Sequence, residues 1–361
     1  MGLIDKGFWN NRRVLVTGHT GFKGTWLSVW LKSMGAQVAG LALAPQQKQD
    51  MFNLVDLPAS LDLHEIGDIR DAHVVRISLA NFEPEVVFHL AAQPIVRQSY
   101  RDPLGTYATN VMGTAHVLDA IVKTKSVKAA LIVTTDKVYT NEEWLWGYRE
   151  NDRLGGKDPY SSSKACAELI THAYRESYAK VDGYKLGLAS ARAGNVLGGG
   201  DWSADRIVPD MVRAFLKNEA VVIRNPASTR PWQHVIDPLR GYLRLAEKLY
   251  HCATDYSEAW NFGPEAADAV SVKTLAGLFA QAWGDAATID DEASISGVTM
   301  PEANFLKLDH SKASSRLNWF PAVQLAQCVL MTADWYKAAD KQPSSKELWD
   351  LTCTQIAEAE R

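Results

Sequence analysis

Three glycines at fixed spacing constrain this chain more than any other feature: Gly18-His19-Thr20-Gly21-Phe22-Lys23-Gly24. The preceding run, Arg13–Thr17, is short and rich in valine and leucine, and reads as a buried strand. After it, Trp26, Leu27, Trp30, Leu31 and Met34 recur at helical spacing, and Gly35 ends that helix. Strand, glycine turn and helix in that order have a specific reading. Gly18 allows a tight turn, Gly21 lets backbone approach a pyrophosphate, and Gly24 lets the helix pack close to the strand with its N-terminus facing the phosphates. A dinucleotide is therefore expected on Gly18, His19, Thr20, Gly21, Phe22, Lys23 and Gly24.

The same alternation continues downstream. Strands are expected over residues 37–43, 85–92, 128–134 and 186–193, with helices over 111–123 and from near Tyr160 to Tyr178. This predicts an α/β fold, a Rossmann-type doubly wound parallel sheet with both faces covered. After about Asn195 turn-forming and aromatic residues become denser, as in Asp201-Trp202 and Arg230-Pro231-Trp232. We read residues 1–194 as the dinucleotide domain, with later strands returning near 230–262. Residues 195–361 are then mainly a smaller, less regular substrate-binding domain. One expected part is missing. A carboxylate for the adenosine ribose belongs about 20 residues past the glycines, yet Thr25 to Gln49 contains no Asp, Glu or Arg. NAD is the expected cofactor, and NADP stays open.

Bulk properties exclude several classes. A net charge of −4 over 361 residues offers no basic footprint for nucleic acid. No apolar run approaches the ~18 residues of a membrane span, and the charged start (Asp5, Lys6, Arg12, Arg13) is unlike a secretory signal. A cytoplasmic protein is expected. Cys166, Cys252, Cys328 and Cys353 are too scattered for a metal or disulfide pattern, and His19, His89 and His234 have no compact cluster behind them, so no metal is expected.

The chemistry is concentrated in two segments. Thr134-Thr135-Asp136-Lys137 closes an apolar run, and Tyr160-Ser-Ser-Ser-Lys164 follows. Four residues apart on a helix, Tyr160 and Lys164 share a face. There the ammonium is expected to lower the phenol pKa, so that the tyrosine exchanges a proton with a substrate hydroxyl. Asp136 adds an acid, which points beyond simple oxidation.

Thr17-Gly-x-x-Gly-x-x-Gly24, Asp68-Ile69-Arg70-Asp71, His89-Leu90-Ala91-Ala92, Asn110, the Tyr160/Lys164 pair and Arg192-x-Gly-Asn195 together resemble the nucleotide-sugar branch of the extended short-chain dehydrogenase/reductase superfamily. Ala91–Pro94, Trp146–Asn151, Gly198–Trp202 and Arg230–Val235 are similar, more narrowly, to segments of the CDP-glucose 4,6-dehydratases. The resemblance implies oxidation at C4 of a nucleotide-linked glucose, loss of water across C5 and C6, and hydride return to C6. Its alternative on the same scaffold is a 4-epimerase or 4-reductase, which needs no acid such as Asp136. It also implies Tyr160 as base, assisted by Thr135 and Lys164, Asp136 as acid, and Lys137 where better-known dehydratases carry glutamate. Cofactor contacts are implied at Asp68, Ile69, Leu90, Ala91, Ala92, Asn110, Tyr160 and Lys164. Substrate contacts are implied at Gln93, Arg97, Asn195, Arg206, Arg224, Arg230 and Glu302. A homodimer or dimer of dimers, built on the helices near 111–123 and 160–178, completes the expectation, with a role in deoxysugars of bacterial surface polysaccharide.

Overall fold

The computed structural model describes residues 4–179, 185–223, 225–285, 287–290 and 305–360. Arg13–Thr17 forms β1, and the chain turns at Gly18 into helix α1, Phe22–Ser33. β2 (Gln37–Ala42), β3 (Leu63–Ile66), α2 (Ala72–Phe82), β4 (Val86–His89), α3 (Thr114–Lys123), β5 (Ala129–Val133), α4 (Pro159–Ser177) and β6 (Gly187–Ala193) follow. These six strands and the later β10 (Ala259–Phe262) make one parallel sheet in the order β10-β6-β5-β4-β1-β2-β3. The order reverses between β1 and β4, and ligands of such sheets bind at the crevice that this opens.

Alternate side chains along β1 explain the two covered faces. Val14 and Val16 join the larger core with Trp26, Trp30 and Leu31 of α1 and with α5 (Ile236–His251). Leu15 faces Val75 and Leu79 of α2 and Val117 and Leu118 of α3 on the other side. Period-two alternation within a sheet wrapped on both faces is what leaves these strands apolar throughout.

The expected strand over 85–92 stops at His89, freeing Leu90–Gln93 to line the sheet edge, and β3 was not foreseen because its side chains alternate between half-buried and exposed. The helix expected from 111 starts differently. Ala108–Gly113 is a π-helical turn that passes into α3, a feature often found at functional sites.

Beyond β6 the chain is less regular, as expected. β7 (Asn195–Leu197), β9 (Thr229–His234) and β11 (Ala269–Ser271) form a small sheet, and β8 (Ala220–Val222) pairs with β12 (Thr288–Asp290). β10 and α5 nonetheless return to the large sheet. The last two helices, α6 (Leu325–Asp340) and α7 (Ser345–Ala359), pack together, and α7 lies against α1. No described helix is long and apolar enough to cross a membrane.

Candidate active site

At the end of β5 the chain leaves the sheet through Thr134 and Thr135 into a single 3-10 turn, Asp136–Val138. Helix α4 returns past this point. Its start is set by Asp158, whose carboxylate accepts from the Ser161 N–H at 2.9 Å, and by Pro159 in the first turn. Tyr160 and Lys164 then lie on its buried face. The Thr135 hydroxyl donates to Asp136 Oδ1 at 2.9 Å, and both side chains are close enough to the buried Tyr160 phenol to influence its proton affinity. Gly194 makes room for the carboxyl, since a Cβ there would stand 2.9 Å from Asp136 Oδ2.

Burial pushes the Asp136 carboxyl above the ordinary carboxylate range, against the opposing influence of Lys137, the Thr135 hydrogen bond, Arg230 and Lys23. A buried acid of this kind keeps its proton to a higher pH. The phenol behaves differently from expectation. Burial pushes Tyr160 up to about 12, with the Thr135 hydrogen bond lowering it, Asp136 raising it and Arg206 lowering it. Lys164 Nζ donates to the Val133 carbonyl at 3.2 Å, and the desolvation of the phenol outweighs any nearby positive charge. Lys164 itself is lowered by burial to about 8, with Glu168 pulling the other way.

A family model described as GDP-mannose 4,6 dehydratase matches residues 15–332. The chain belongs to this family. It is 50% identical over 340 residues to the CDP-glucose 4,6-dehydratase of Salmonella typhimurium, covering 93% of each chain. It is 30% identical to the dTDP-glucose 4,6-dehydratase of Streptomyces antibioticus over 75% of each. The solved dTDP-glucose 4,6-dehydratase DesIV of Streptomyces venezuelae, with NAD bound, superposes with a TM-score of 0.76 at 25% identity, over 90% of this chain and 97% of that one.

A family of this kind implies a dinucleotide, and the residues here fit one. Gly18 has φ +76°, and a Cβ on it would lie 2.7 Å from the Ala91 nitrogen. On Gly24 a Cβ would lie 2.1 Å from the Gly18 carbonyl oxygen. Gly21 is the exception. It is exposed, and its nearest obstacle would be the Gly18 oxygen at 3.4 Å, which leaves a bare backbone cradle at the start of α1. Leu90 and Ala91 donate their N–H groups to the Thr17 backbone oxygen and hydroxyl, fixing the facing edge, and Ala92 follows half-buried. Phe22 packs near Gly198.

Other expected contacts are engaged elsewhere in the fold. His19 is buried, and its Nε2 lies 2.8 Å from His64 Nδ1. Thr20 donates to the Leu43 carbonyl. The Asp68 carboxylate accepts from the Arg70 backbone and guanidinium. Ile69 is core. Asn110, on the π-helical turn, clamps the Gln93 backbone in both directions and donates to Ser163 Oγ at 2.9 Å, inside the Tyr160–Lys164 turn. The Gln93 side chain bonds Thr106 and the Ile95 N–H, and Arg97 pairs with Asp205 at 3.1 Å. Asn195 opens β7 opposite Trp232 of β9. Arg206 pairs with Asp201 at 3.0 Å while its charge reaches Tyr160 and Lys23. Arg230 bonds the Thr229 carbonyl and its charge reaches Asp136. Arg224 and Glu302 lie outside the described residues.

Two features were missed. Lys23, read from sequence as part of the phosphate loop, acts electrostatically on Asp136, and Lys164 and Arg206 act on it; burial and those cations lower it to about 8. Glu168, buried one turn past Lys164, was overlooked although its spacing from Lys164 was a usable signal. No group of three or more His, Cys, Asp or Glu suited to a metal ion occurs among the described residues.

Proposed function

We propose that this protein is a CDP-glucose 4,6-dehydratase that uses NAD. The observation that carries the reading is the Asp136 carboxyl, buried, proton-retaining, bonded by Thr135 and near enough to act on Tyr160. An epimerase or reductase needs the tyrosine but has no leaving hydroxyl to protonate.

Tyr160 takes the proton from the 4-hydroxyl, and Thr135 holds that oxygen by hydrogen bonding. Bound NAD supplies the hydride acceptor for C4 and the donor for C6, so it is regenerated each turnover. Once C4 is a ketone the C5 proton is acidic. Lys137, next to Asp136 in the chain, is our candidate to remove it, and Asp136 protonates the departing 6-hydroxyl. Lys164 would hold the ribose of the nicotinamide when the cofactor binds. Arg230, with Asn195, holds the substrate pyrophosphate, because a guanidinium fork matches phosphate oxygens. Arg206 serves the same anion, and Gln93 and Arg97 border the sugar. Residues 1–194 are the nucleotide domain and 195–361 mainly the substrate domain. Leu104, Met112 and Leu169 are exposed on or beside the helices expected to pair, which supports a homodimer or dimer of dimers in the cytoplasm, serving deoxysugar synthesis for surface polysaccharide.

Incubation with CDP-glucose and mass analysis of the product tests the assignment. Loss of one water is expected. An unchanged mass with a new stereoisomer overturns it in favour of an epimerase, and preference for another nucleotide-glucose overturns the choice of base.

A further inference from the structure

Directly behind the active site lies a buried charged cluster that the reaction scheme does not use. Glu168 of α4 is 3% exposed, and both its oxygens are fully engaged. Thr134 Oγ1 donates to Oε1 at 2.5 Å, Ser190 Oγ to Oε2 at 2.6 Å, and Arg192 Nη2 to Oε2 at 2.8 Å. One carboxylate therefore ties three elements together: the end of β5, the helix carrying Tyr160 and Lys164, and β6. Arg192 extends the tie, its Nη1 donating to the Tyr139 hydroxyl at 2.7 Å, which in turn donates to Asn261 of β10 at 2.7 Å.

The position is informative. Thr134 is the residue before Thr135 and Asp136, so the clamp fixes the strand end from which both reacting groups hang. Glu168 is also four residues from Lys164, which brings their Cβ atoms to about 5–6 Å on one helix face. A core built only for stability gains little from ions here, since well-packed apolar side chains do as well as a buried pair. The groups around Lys164 make the need for a carboxylate plain. On its own helix are Tyr160, Glu168 and Arg175. From other elements, His89 on β4 and Lys23 on α1 feel its charge. Asp136 is held toward its neutral form and His89 is neutral, so Glu168, ion-paired with Arg192 at 2.8 Å, is the negative charge whose influence reaches Lys164.

We propose that Glu168 is a positioning residue for the dehydration: its buried carboxylate sets the Thr135–Asp136 strand end against Tyr160 and lays a negative charge one helical turn from Lys164. This rests on the catalytic reading above. Burial alone drives Lys164 toward the neutral amine, and Glu168 opposes that drive.

The test is Glu168→Gln, which keeps the size and most hydrogen bonds and deletes the charge. In lysine-labelled protein, with the Lys164 signal assigned from Lys164→Arg, NMR titration should show its midpoint falling by about one to two pH units. The alkaline limb of kcat for CDP-glucose should move down by the same amount, while Glu168→Asp restores it. An unmoved Lys164 midpoint in folded Glu168→Gln overturns the proposal. Should that variant fail to fold, Thr134→Val removes the clamp and leaves both charges. It should lower kcat with KM unchanged, and an unaltered kcat overturns the clamp. A wild-type protein inert toward CDP-glucose defeats the catalytic reading alone, because the Lys164 titration needs no turnover.

Discussion

Two alanine substitutions in one loop should have opposite consequences. At Gly24 a Cβ would sit 2.1 Å from the Gly18 carbonyl oxygen and 2.7 Å from the His19 Cα, both backbone atoms that cannot rotate away. Relieving that contact needs a shift of more than an ångström between α1 and the end of β1. Overpacking of this kind costs about 1–3 kcal/mol, and the rigid partners place Gly24→Ala at the upper end. At Gly21 the nearest atom is 3.4 Å away, and φ −82°, ψ 167° suits any residue. Gly21→Ala should leave stability within about 0.5 kcal/mol of wild type. Its methyl group would nonetheless occupy the cradle in which a pyrophosphate approaches backbone N–H groups. Losing hydrogen bonds to a charged group costs roughly 1.5–3 kcal/mol, or between tenfold and somewhat over a hundredfold in NAD affinity. Urea unfolding and NAD calorimetry on the two variants separate the effects. A Gly21→Ala protein that binds NAD as tightly as wild type would refute the placement of the phosphates. A Gly24→Ala protein of unchanged stability would refute the packing argument.

Asp136→Asn should spare ketone formation at C4 but slow water loss about 10²–10⁴-fold, as for removal of a general acid; equal loss of both steps contradicts the assignment. Because burial raises the Asp136 pKa, the acid form is lost only as pH rises through that raised value, so the water-loss step, followed by itself, should weaken as pH rises, and Asp136→Asn should remove that dependence while the Lys164-linked alkaline limb of kcat persists. Lys137→Ala should suppress solvent-deuterium incorporation at C5, and undiminished incorporation excludes this lysine as the base. Stability should drop on mild acidification. His19, His89 and His234 are held neutral by burial, each lowered to about 3, while the unfolded chain takes up protons below about 6.5. Between pH 7 and 5.5 the three together withdraw roughly 4 kcal/mol. Asp237, pushed up to about 6, returns under about 1 kcal/mol over the same interval. A flat unfolding free energy across that range defeats this account.

The glycine loop, the parallel sheet and the Tyr160–Lys164 face were legible in the chain because each depends on local spacing. Asp136, Thr135 and Tyr160 were legible together by resemblance, yet the depth at which Asp136 is buried was not, because it depends on where α4 returns, two dozen residues on. Asp68 and Arg97, expected as ligand contacts, each carry a charge partner that no local pattern announces, Arg70 in a tight turn and Asp205 across the fold. His89 invited a metal reading and instead spans Thr17 and Thr114, tying β1 and β4 to α3. Buried polar side chains are partnered wherever the fold brings them, and that is a property of topology rather than of sequence distance.

The packing of α7 against α1 has a consequence for biosynthesis. The helix that presents the phosphate cradle, Phe22–Ser33, is laid down long before the helix that packs on its flank, Ser345–Ala359. Until that later helix follows, α1 lacks this partner, and ligand capture should await it.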